Sequence, residues 1–379
     1  MASTEKLPFD IRSEFPIKEQ YVFLNHAGVA PIPASTQMAI SEFARDAAEE
    51  GPANYAGWLH GMAQAREAAG ALLHCRPDDI CFVHNTTHGI LIVANSIRWE
   101  EGDNVVGFEH EFPANIHPWR NLRERGVELR LVPERPDFRY SLDDLVAAMD
   151  ARTRLVTVSW VEYGTGTRND LAAIADICRQ RGALLFVDAI QGLGVLPMDV
   201  EAFGIDFLAA DGHKWLLAPE GCGILYVRPD RIQELNHSMC GWCGLRNPQD
   251  YDNYEQEYKP TAKRFEEGSH NLMSIHALGC SLRLLLDVGI DTIADRIFEL
   301  TEWLIDRVVA KRYELVTPRP RQQRAGIVCV RKDGVAPAEL VKQLQEQKIL
   351  VAARRGFLRI SPHFYNDEEE LKRLVDVMP

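Results

Sequence analysis

Along most of this chain, short apolar runs alternate with stretches whose apolar positions recur every three or four residues. The runs are Ile80–Val83, Asn104–Phe108, Leu155–Trp160, Leu184–Val187, Phe207–Ala210 and a last one ending at Val227. They are short, rich in β-branched residues and bounded by polar residues or glycine, so each predicts a strand buried on both faces. Between them, Gly89–Ile97 predicts a buried helix, and Ala114–Arg125 and Leu171–Arg181 predict amphipathic ones. This alternation implies an α/β fold with a mainly parallel sheet covered by helices on both faces. From 228 to 262 the pattern lapses into tyrosines, a cysteine pair and few apolar runs, which predicts irregular structure. Two long helices follow, at about Ser274–Val288 and Ile290–Lys311. From about Gly326, GIVCV, AELVKQLQEQ, FLRIS and DEEELKRLVDVM alternate strand and helix again, as a smaller C-terminal α/β domain would. The expected organisation is an N-terminal segment, 1–20, free to pack on the small domain, then a large domain, 21–262, and the small domain, 263–379.

A chain of 379 residues accommodates two domains, and 46% hydrophobic with 26% charged residues is an ordinary globular balance. The net charge of −13, from 42 basic and 55 acidic residues, gives no support to a nucleic-acid surface. Eight cysteines in this length do not suggest a disulfide framework, and Cys81, Cys222 and Cys329 sit in apolar runs as small core residues. Cys240 and Cys243 form a C-x-x-C pair with no second pair or nearby histidines, so no metal site is expected. The first residues, MASTEKLPFDIRSEF, lack the apolar core of a signal peptide, and no run approaches membrane length. The expectation is a cytoplasmic protein with no membrane and no nucleic-acid partner.

The chemistry concentrates between Leu184 and Val227. One apolar strand ends in Asp188, with Gln191 three residues on. The next ends just before Asp211-Gly212-His213-Lys214. An acid and a lysine, each at the carboxyl end of a buried strand, suit a pyridine ring that carries an aldehyde. The lysine can form a Schiff base, and the acid can keep the ring nitrogen protonated. That is the chemistry of pyridoxal 5'-phosphate (PLP). A lone buried carboxylate needs a cation, and a pyridinium supplies one, although a helix N-cap is the plainer role for Asp188. Asn85-Thr86-Thr87-His88-Gly89 follows a strand and opens an apolar helix, where free N–H groups and hydroxyls face one point and suit a phosphate.

These residues, with Leu24-Asn25-His26-Ala27-Gly28 near one end and Arg359-Ile360-Ser361-Pro362-His363 near the other, resemble the fold-type I PLP-dependent enzymes of the class V aminotransferase and cysteine desulfurase superfamily. The resemblance covers nearly the whole chain. It implies a homodimer with active sites at the subunit interface. It makes Lys214 the Schiff-base lysine and Asp188 the partner of the ring nitrogen. Thr86, Thr87 and His213 become phosphate contacts, and Ser269, in RFEEGSHN, a residue contributed by the neighbouring subunit. Gln191 becomes the partner of the ring hydroxyl, and Phe112 the aromatic stacked on the ring. Arg359 becomes the grip on the substrate α-carboxylate, with Asn25 and His26 lining the substrate side. Bland alternatives stand beside several of these: a polar loop residue at Gln191, a core aromatic at Phe112, a structural salt bridge at Arg359 and turn formation at Asn25 and His26. Asp211 stands where many relatives have serine. An acid beside a phosphate is unfavourable, so Asp211 is expected to turn away or pair with a histidine.

The cofactor does not fix the reaction. A desulfurase needs a cysteine on a mobile loop shortly before the carboxylate arginine, and here VAARRGFLRIS has neither loop nor cysteine. Phe112 offers no second base. The expected activity is therefore class V aminotransferase-like, acting on a small-molecule α-amino acid. The alternatives are a C–S β-lyase, a desulfurase-like or epimerase activity, and a catalytically silent PLP-binding regulatory protein. Tyr55, Trp58, His60 and Trp242 are candidates to line an aromatic-friendly pocket or simply to pack.

Overall fold

The computed structural model describes residues 9–379, so residues 1–8 of the expected N-terminal segment lie outside the described residues. Its centre is a seven-stranded sheet. In spatial order the strands are Ile80–Val83, Gly223–Val227, Phe207–Asp211, Leu184–Asp188, Thr153–Ser159, Asn104–Phe108 and Glu128–Val132. All run parallel except Gly223–Val227, which is antiparallel to both neighbours. Five of the seven are buried at every residue, as near-continuous apolar runs require when helices cover both faces.

Glycine permits the tightest contacts near the carboxyl ends. A Cβ on Gly223 would lie 2.5 Å from the Ala210 carbonyl oxygen, and one on Gly89 would lie 2.8 Å from Ala209 Cβ. The first lets the antiparallel strand return against Phe207–Asp211. The second lets the helix Thr86–Ser96 press onto the sheet.

The expected helix at 114–125 is not a single helix. The segment is a 3-10 turn at Pro113–Asn115, one α-helical turn at His117–Arg120 and a second 3-10 stretch at Asn121–Arg125. Pro113 and Pro118 lack the N–H that a continuous helix needs, and a proline ring clashes with the carbonyl four residues back. Two long helices that the pattern did not announce, Ala34–Glu49 and Tyr55–Leu73, pack against Leu272–Val288. Residues 228–262 carry only short 3-10 turns as helix, in line with the lapsed pattern.

The C-terminal region builds a four-stranded antiparallel sheet in the order Ala352–Arg354, Phe357–Ile360, Val328–Arg331, Glu314–Leu315. The beginning of the described chain runs into it. Val22–Phe23 pairs in parallel with Ile349–Leu350, and Asn25 bridges to Ser361. Lys18 Nζ donates to Asp367 at 3.1 Å and Glu370 at 2.6 Å. Residues over three hundred positions apart are thereby held side by side. No single helix among the described residues is long and apolar enough to cross a membrane. Leu272–Val288 and Ile290–Ala310 have that length and composition only as a pair bent by 77°, and each buries a full apolar face in the core.

One ion pair ties the edge strand to the segment before Leu272. Arg66 lies 2.7 Å from Glu266, both side chains are nearly inaccessible, and Glu266 also accepts from the Phe82 N–H at 3.0 Å. The Arg66 charge and the His270 hydrogen bond outweigh burial and hold the Glu266 carboxyl down to about 2. Removing one partner of such a buried pair costs about 3–5 kcal/mol, so Arg66→Ala should lower unfolding stability by that amount in denaturant titration. The folded-state shift is downward. Its stabilisation is therefore complete above the ordinary glutamate value of 4.5 and fades as pH falls toward about 2. An Arg66→Ala protein within about 1 kcal/mol of wild type would contradict this ledger.

Candidate active site

The parallel register sets the site. Asp188 ends its strand opposite Ala209, two residues before Asp211, so Asp188 and the Asp211–Lys214 turn emerge at the same edge of the sheet. Ligands in open α/β sheets bind at this carboxyl edge. Asp188 is buried, and its Oδ1 accepts from the Ile190 N–H at 3.0 Å. Burial pushes its carboxyl up to about 6, opposed by that hydrogen bond and by the Lys214 charge. Lys214 is 9% exposed and makes no hydrogen bond or ion pair through Nζ among the described residues. Burial drives its ammonium down to about 8, with Asp188 resisting and Arg359 assisting. Its Nζ lies over the Phe112 ring, 5.4 Å from the centroid. Phe112 is 43% exposed, with only an edge contact to Tyr163 at 5.3 Å, so one face is open beside Lys214.

Thr86 and Thr87 open the helix Thr86–Ser96, capped by Asn85, whose side chain accepts from the His88 N–H at 2.9 Å. The N–H groups of Thr86 and Thr87 have no partner among the described residues. Thr86 Oγ1 accepts from the Asp211 N–H at 3.0 Å, which ties this helix start to the Lys214 turn and leaves the hydroxyl proton free. Asp211 does face a histidine. Its Oδ2 lies 3.0 Å from His213 Nδ1, without hydrogen-bond alignment, and both Asp211 Oδ1 and His213 Nδ1 are buried and unpartnered.

Arg359 lies in the strand Phe357–Ile360 and is 2% exposed. Its Nη1 donates to the Tyr163 carbonyl at 3.0 Å, its Nη2 to Asn25 Oδ1 at 3.3 Å, and its Nε is buried with no partner. No carboxylate among the described residues pairs with it, and burial lowers its proton affinity to about 10.

Two expected residues are more committed than the sequence suggested. His26 is completely buried, with Nδ1 against the Ser361 carbonyl at 2.9 Å and Nε2 against the Tyr365 hydroxyl at 2.6 Å. No ring nitrogen remains for a substrate, so His26 locks the N-terminal chain to the small sheet. Gln191 donates from Nε2 to the Ala27 carbonyl at 3.0 Å and accepts from Trp215 Nε1 at 2.8 Å. One amide N–H is left free. Ser269 is exposed, in a hollow lined also by His84, Cys222 and His270. Of the aromatic candidates, Trp58 packs between Phe43 and Tyr55.

The sequence did not reveal the acids behind Asp188. Glu111 is buried and accepts from the Ser159 N–H at 2.6 Å and from the Ser159 hydroxyl, and Ser159 is the sheet neighbour of Asp188. Burial and the nearby Asp188 push Glu111 up to about 7, although the Ser159 hydrogen bonds oppose this. Glu162 is buried too, bonded to Asn169 at 2.8 Å, and its proton affinity is well raised by burial and by Glu111. The only hint was Glu111 next to Phe112. Equally unannounced, His84, His88 and Glu267 bring one ligand atom each within 4.8 Å of one another, two of the three residues being exposed.

The arrangement fits PLP. Asp188 lacks a cation, Lys214 is a buried amine, a helix start offers unpartnered N–H groups, and Arg359 lacks an anion. Comparison with known proteins agrees. The family model for class-V aminotransferases matches residues 22–374. A probable cysteine desulfurase of Methanothermobacter thermautotrophicus is 30% identical, over 97% of this chain and 96% of its own. An uncharacterized aminotransferase, YcbU, of Bacillus subtilis is 28% identical, over 98% and 97%. The solved cystine C-S lyase C-DES, in complex with cysteine persulfide, superposes with a TM-score of 0.89 at 26% identity, covering 96% of this chain and all of its own. A C-DES mutant structure holds glycine covalently linked to its PLP cofactor, with a TM-score of 0.89 at 25% identity and coverage of 96% and 98%.

The Lys214 amine gives a direct check. In cofactor-free protein with 13C-methylated lysines, one resonance should titrate near 8 and vanish in Lys214→Ala. Because the Asp188 charge raises Lys214, Asp188→Asn should move that titration lower still. A Lys214 resonance titrating with the exposed lysines would refute the burial argument.

Proposed function

We propose that this chain, which belongs to the class-V aminotransferase family, transfers the amino group of an α-amino acid. The enzyme depends on PLP, which supplies, when bound, an aldehyde that condenses with amines and a ring that takes up electrons from the bond being broken. The observation that carries the reading is Arg359, a buried guanidinium with an unpartnered Nε and no carboxylate on it. An α-carboxylate fits it in a bidentate way, and Asn25 holds the fork in place through Nη2.

Lys214, lowered to about 8, is partly free amine at neutral and mildly alkaline pH. It can take a proton from Cα and release it at a second carbon. Phe112 covers the site without an acid or base, so Lys214 moves protons alone. That suffices for amino-group transfer, whereas epimerisation needs a second base. Asp188 is raised by burial, against the Ile190 hydrogen bond and the Lys214 charge, and a cation placed directly against it would return it to the carboxylate form. The free N–H groups and hydroxyls of Thr86 and Thr87 hold the phosphate, with His213 as a second contact and the remaining Gln191 N–H for the ring hydroxyl. Ser269 serves the neighbouring copy, which makes a homodimer the working unit.

Persulfide chemistry on a protein cysteine does not suit this chain. Only Arg355 and Gly356 connect Ala352–Arg354 to Phe357–Ile360, so no mobile loop precedes Arg359. The cysteine beside Arg359 in the sheet is Cys329, whose buried thiol donates to the Gly164 carbonyl at 3.3 Å and is pushed up to about 12 by burial. C–S β-elimination, which needs no protein thiol, is the second reading, favoured by the likeness to the cystine C-S lyase.

Borohydride reduction of the holoenzyme followed by peptide mapping should place the label on Lys214, and a label elsewhere would overturn the assignment. Incubation with amino acids should yield a keto acid, with the amino group retained in the protein. Release of sulfide and pyruvate from cystine would select elimination instead. Arg359→Lys should lower kcat/KM roughly thirty- to 160-fold, equivalent to about 2–3 kcal/mol, since an ammonium cannot reproduce the fork. Serine in place of any one cysteine should leave turnover largely intact. A cysteine-bound persulfide formed during turnover, with activity lost on replacing that cysteine, would restore the desulfurase reading.

A further inference from the structure

Arg354 is a second cation on the substrate side. In the antiparallel pairing, Ala352 faces Arg359 and Arg354 faces Phe357. Side chains alternate along a strand, so Arg354 shares a face with Ala352, and Arg359 shares it across the pair. Arg354 and Arg359 are therefore diagonal neighbours on one face, with Cα atoms roughly 7–8 Å apart by the geometry of such pairs. That face is turned to the site, because Arg359 reaches Tyr163 and Asn25 from it, and Cys329, opposite Arg359, reaches Gly164.

The two arginines at the turn are treated differently. Arg355 is neutralised by a forked pair with Glu134, at 2.8 and 2.7 Å. Arg354 is exposed, and its Nη1 donates to the neighbouring Ala353 carbonyl at 2.8 Å. No acid pairs with it among the described residues. Its charge bears on the site, since it lowers the proton affinity of both Lys214 and Arg359. A buried cation and an exposed one, adjacent and both without acids, form a surface for two anionic groups on one ligand.

We propose that Arg354 binds the side-chain anion of the substrate, so that the preferred amino acids are those with a short acidic side chain. The inference rests on the reading of Arg359 as the α-carboxylate grip. With the α-carboxylate on Arg359 and Cα next to Lys214, an acidic side chain can turn along the same strand face toward Arg354, near the solvent edge. A neutral side chain of equal length fills the same space but leaves Arg354 without a counter-charge.

Spectral titration of the holoenzyme tests this with isosteric pairs, glutamate against glutamine and aspartate against asparagine. The wild type should perturb its cofactor band at an at least tenfold lower concentration of the acidic member of one pair. In Arg354→Gln the ratio should fall toward unity, and in Arg354→Lys it should stay above unity. Arg354 is exposed, so neither variant should affect folding, and a merely structural role would move both members of a pair alike. Equal response to acidic and neutral members in the wild type, or an undiminished ratio in Arg354→Gln, overturns this proposal alone. A band that none of the four amino acids perturbs, in protein with PLP on Lys214, overturns both this proposal and the amino-acid reading beneath it.

Discussion

Lys214 and Asp188 carry opposite charges at the buried carboxyl edge of the sheet, and no ion pair joins them among the described residues. Each is driven toward its neutral form by burial, the amine down to about 8 and the acid up to about 6. Burying an ion costs several kcal/mol even after relaxation, so a fold keeps such a pair apart only where the backbone leaves no freedom to close the gap. Here the parallel register fixes the ends of the two strands. The turn to Lys214 is fixed in addition by Gly212, whose N–H donates to the Cys222 carbonyl at 2.9 Å and where a Cβ would meet that same oxygen at 2.9 Å. Main chain fixes where each of the two groups stands, and under the proposed assignment a flat cationic ring with an aldehyde would satisfy both at once.

The other half of the site depends on chain ends meeting. Arg359 belongs to the small sheet, and Asn25, its hydrogen-bond partner, belongs to the N-terminal chain. The two meet because Val22–Phe23 adds to Ile349–Leu350 and because His26 is clamped between Ser361 and Tyr365. The clamping of His26 through both ring nitrogens is what places Asn25. Gln191 is similar: by joining Ala27 to Trp215 it connects the loop after Asp188 with both the N-terminal chain and the residue after Lys214.

The strands were legible because a sheet covered on both faces forces continuous apolar runs such as LLFVD and FLAAD, and the acid and lysine that interrupt them stand out. What depended on three-dimensional pairing was not legible. The Ala114–Arg125 pattern has helical spacing, but Pro113 and Pro118 break its hydrogen bonding. Tyr55–Leu73 is rich in alanine and glycine, and its apolar face is defined mainly by close approach, with Gly279 set against Ala65. Glu111 and Glu162 looked like ordinary polar residues, because nothing in the sequence around them reports burial. His26 and Gln191 stood at positions expected to touch ligand, yet their hydrogen bonds run to residues far away in the chain.

The turn at Arg355 and Gly356 draws these strands together. Both residues have positive φ, +52° and +80°, and the strained non-glycine position is held by the forked pair to Glu134. A turn this short, anchored through its own side chain, has no slack to swing a nucleophile over a substrate. What it does instead is fix the register in which Arg354 and Arg359 share a face. Positive charge thus lies on the small-sheet side of Lys214, while Glu111, bonded to the sheet neighbour of Asp188, stands beside that acid. Burial, with the nearby Asp188, raises Glu111 to about 7, so the negative charge beside Asp188 fades as pH falls through that value. The site is therefore polarised before any ligand enters. Under the assignment proposed above, anionic groups of the substrate would be drawn to the arginine side and the cofactor ring would lie toward Asp188, with Lys214 as the group that would carry a proton from one carbon to the next.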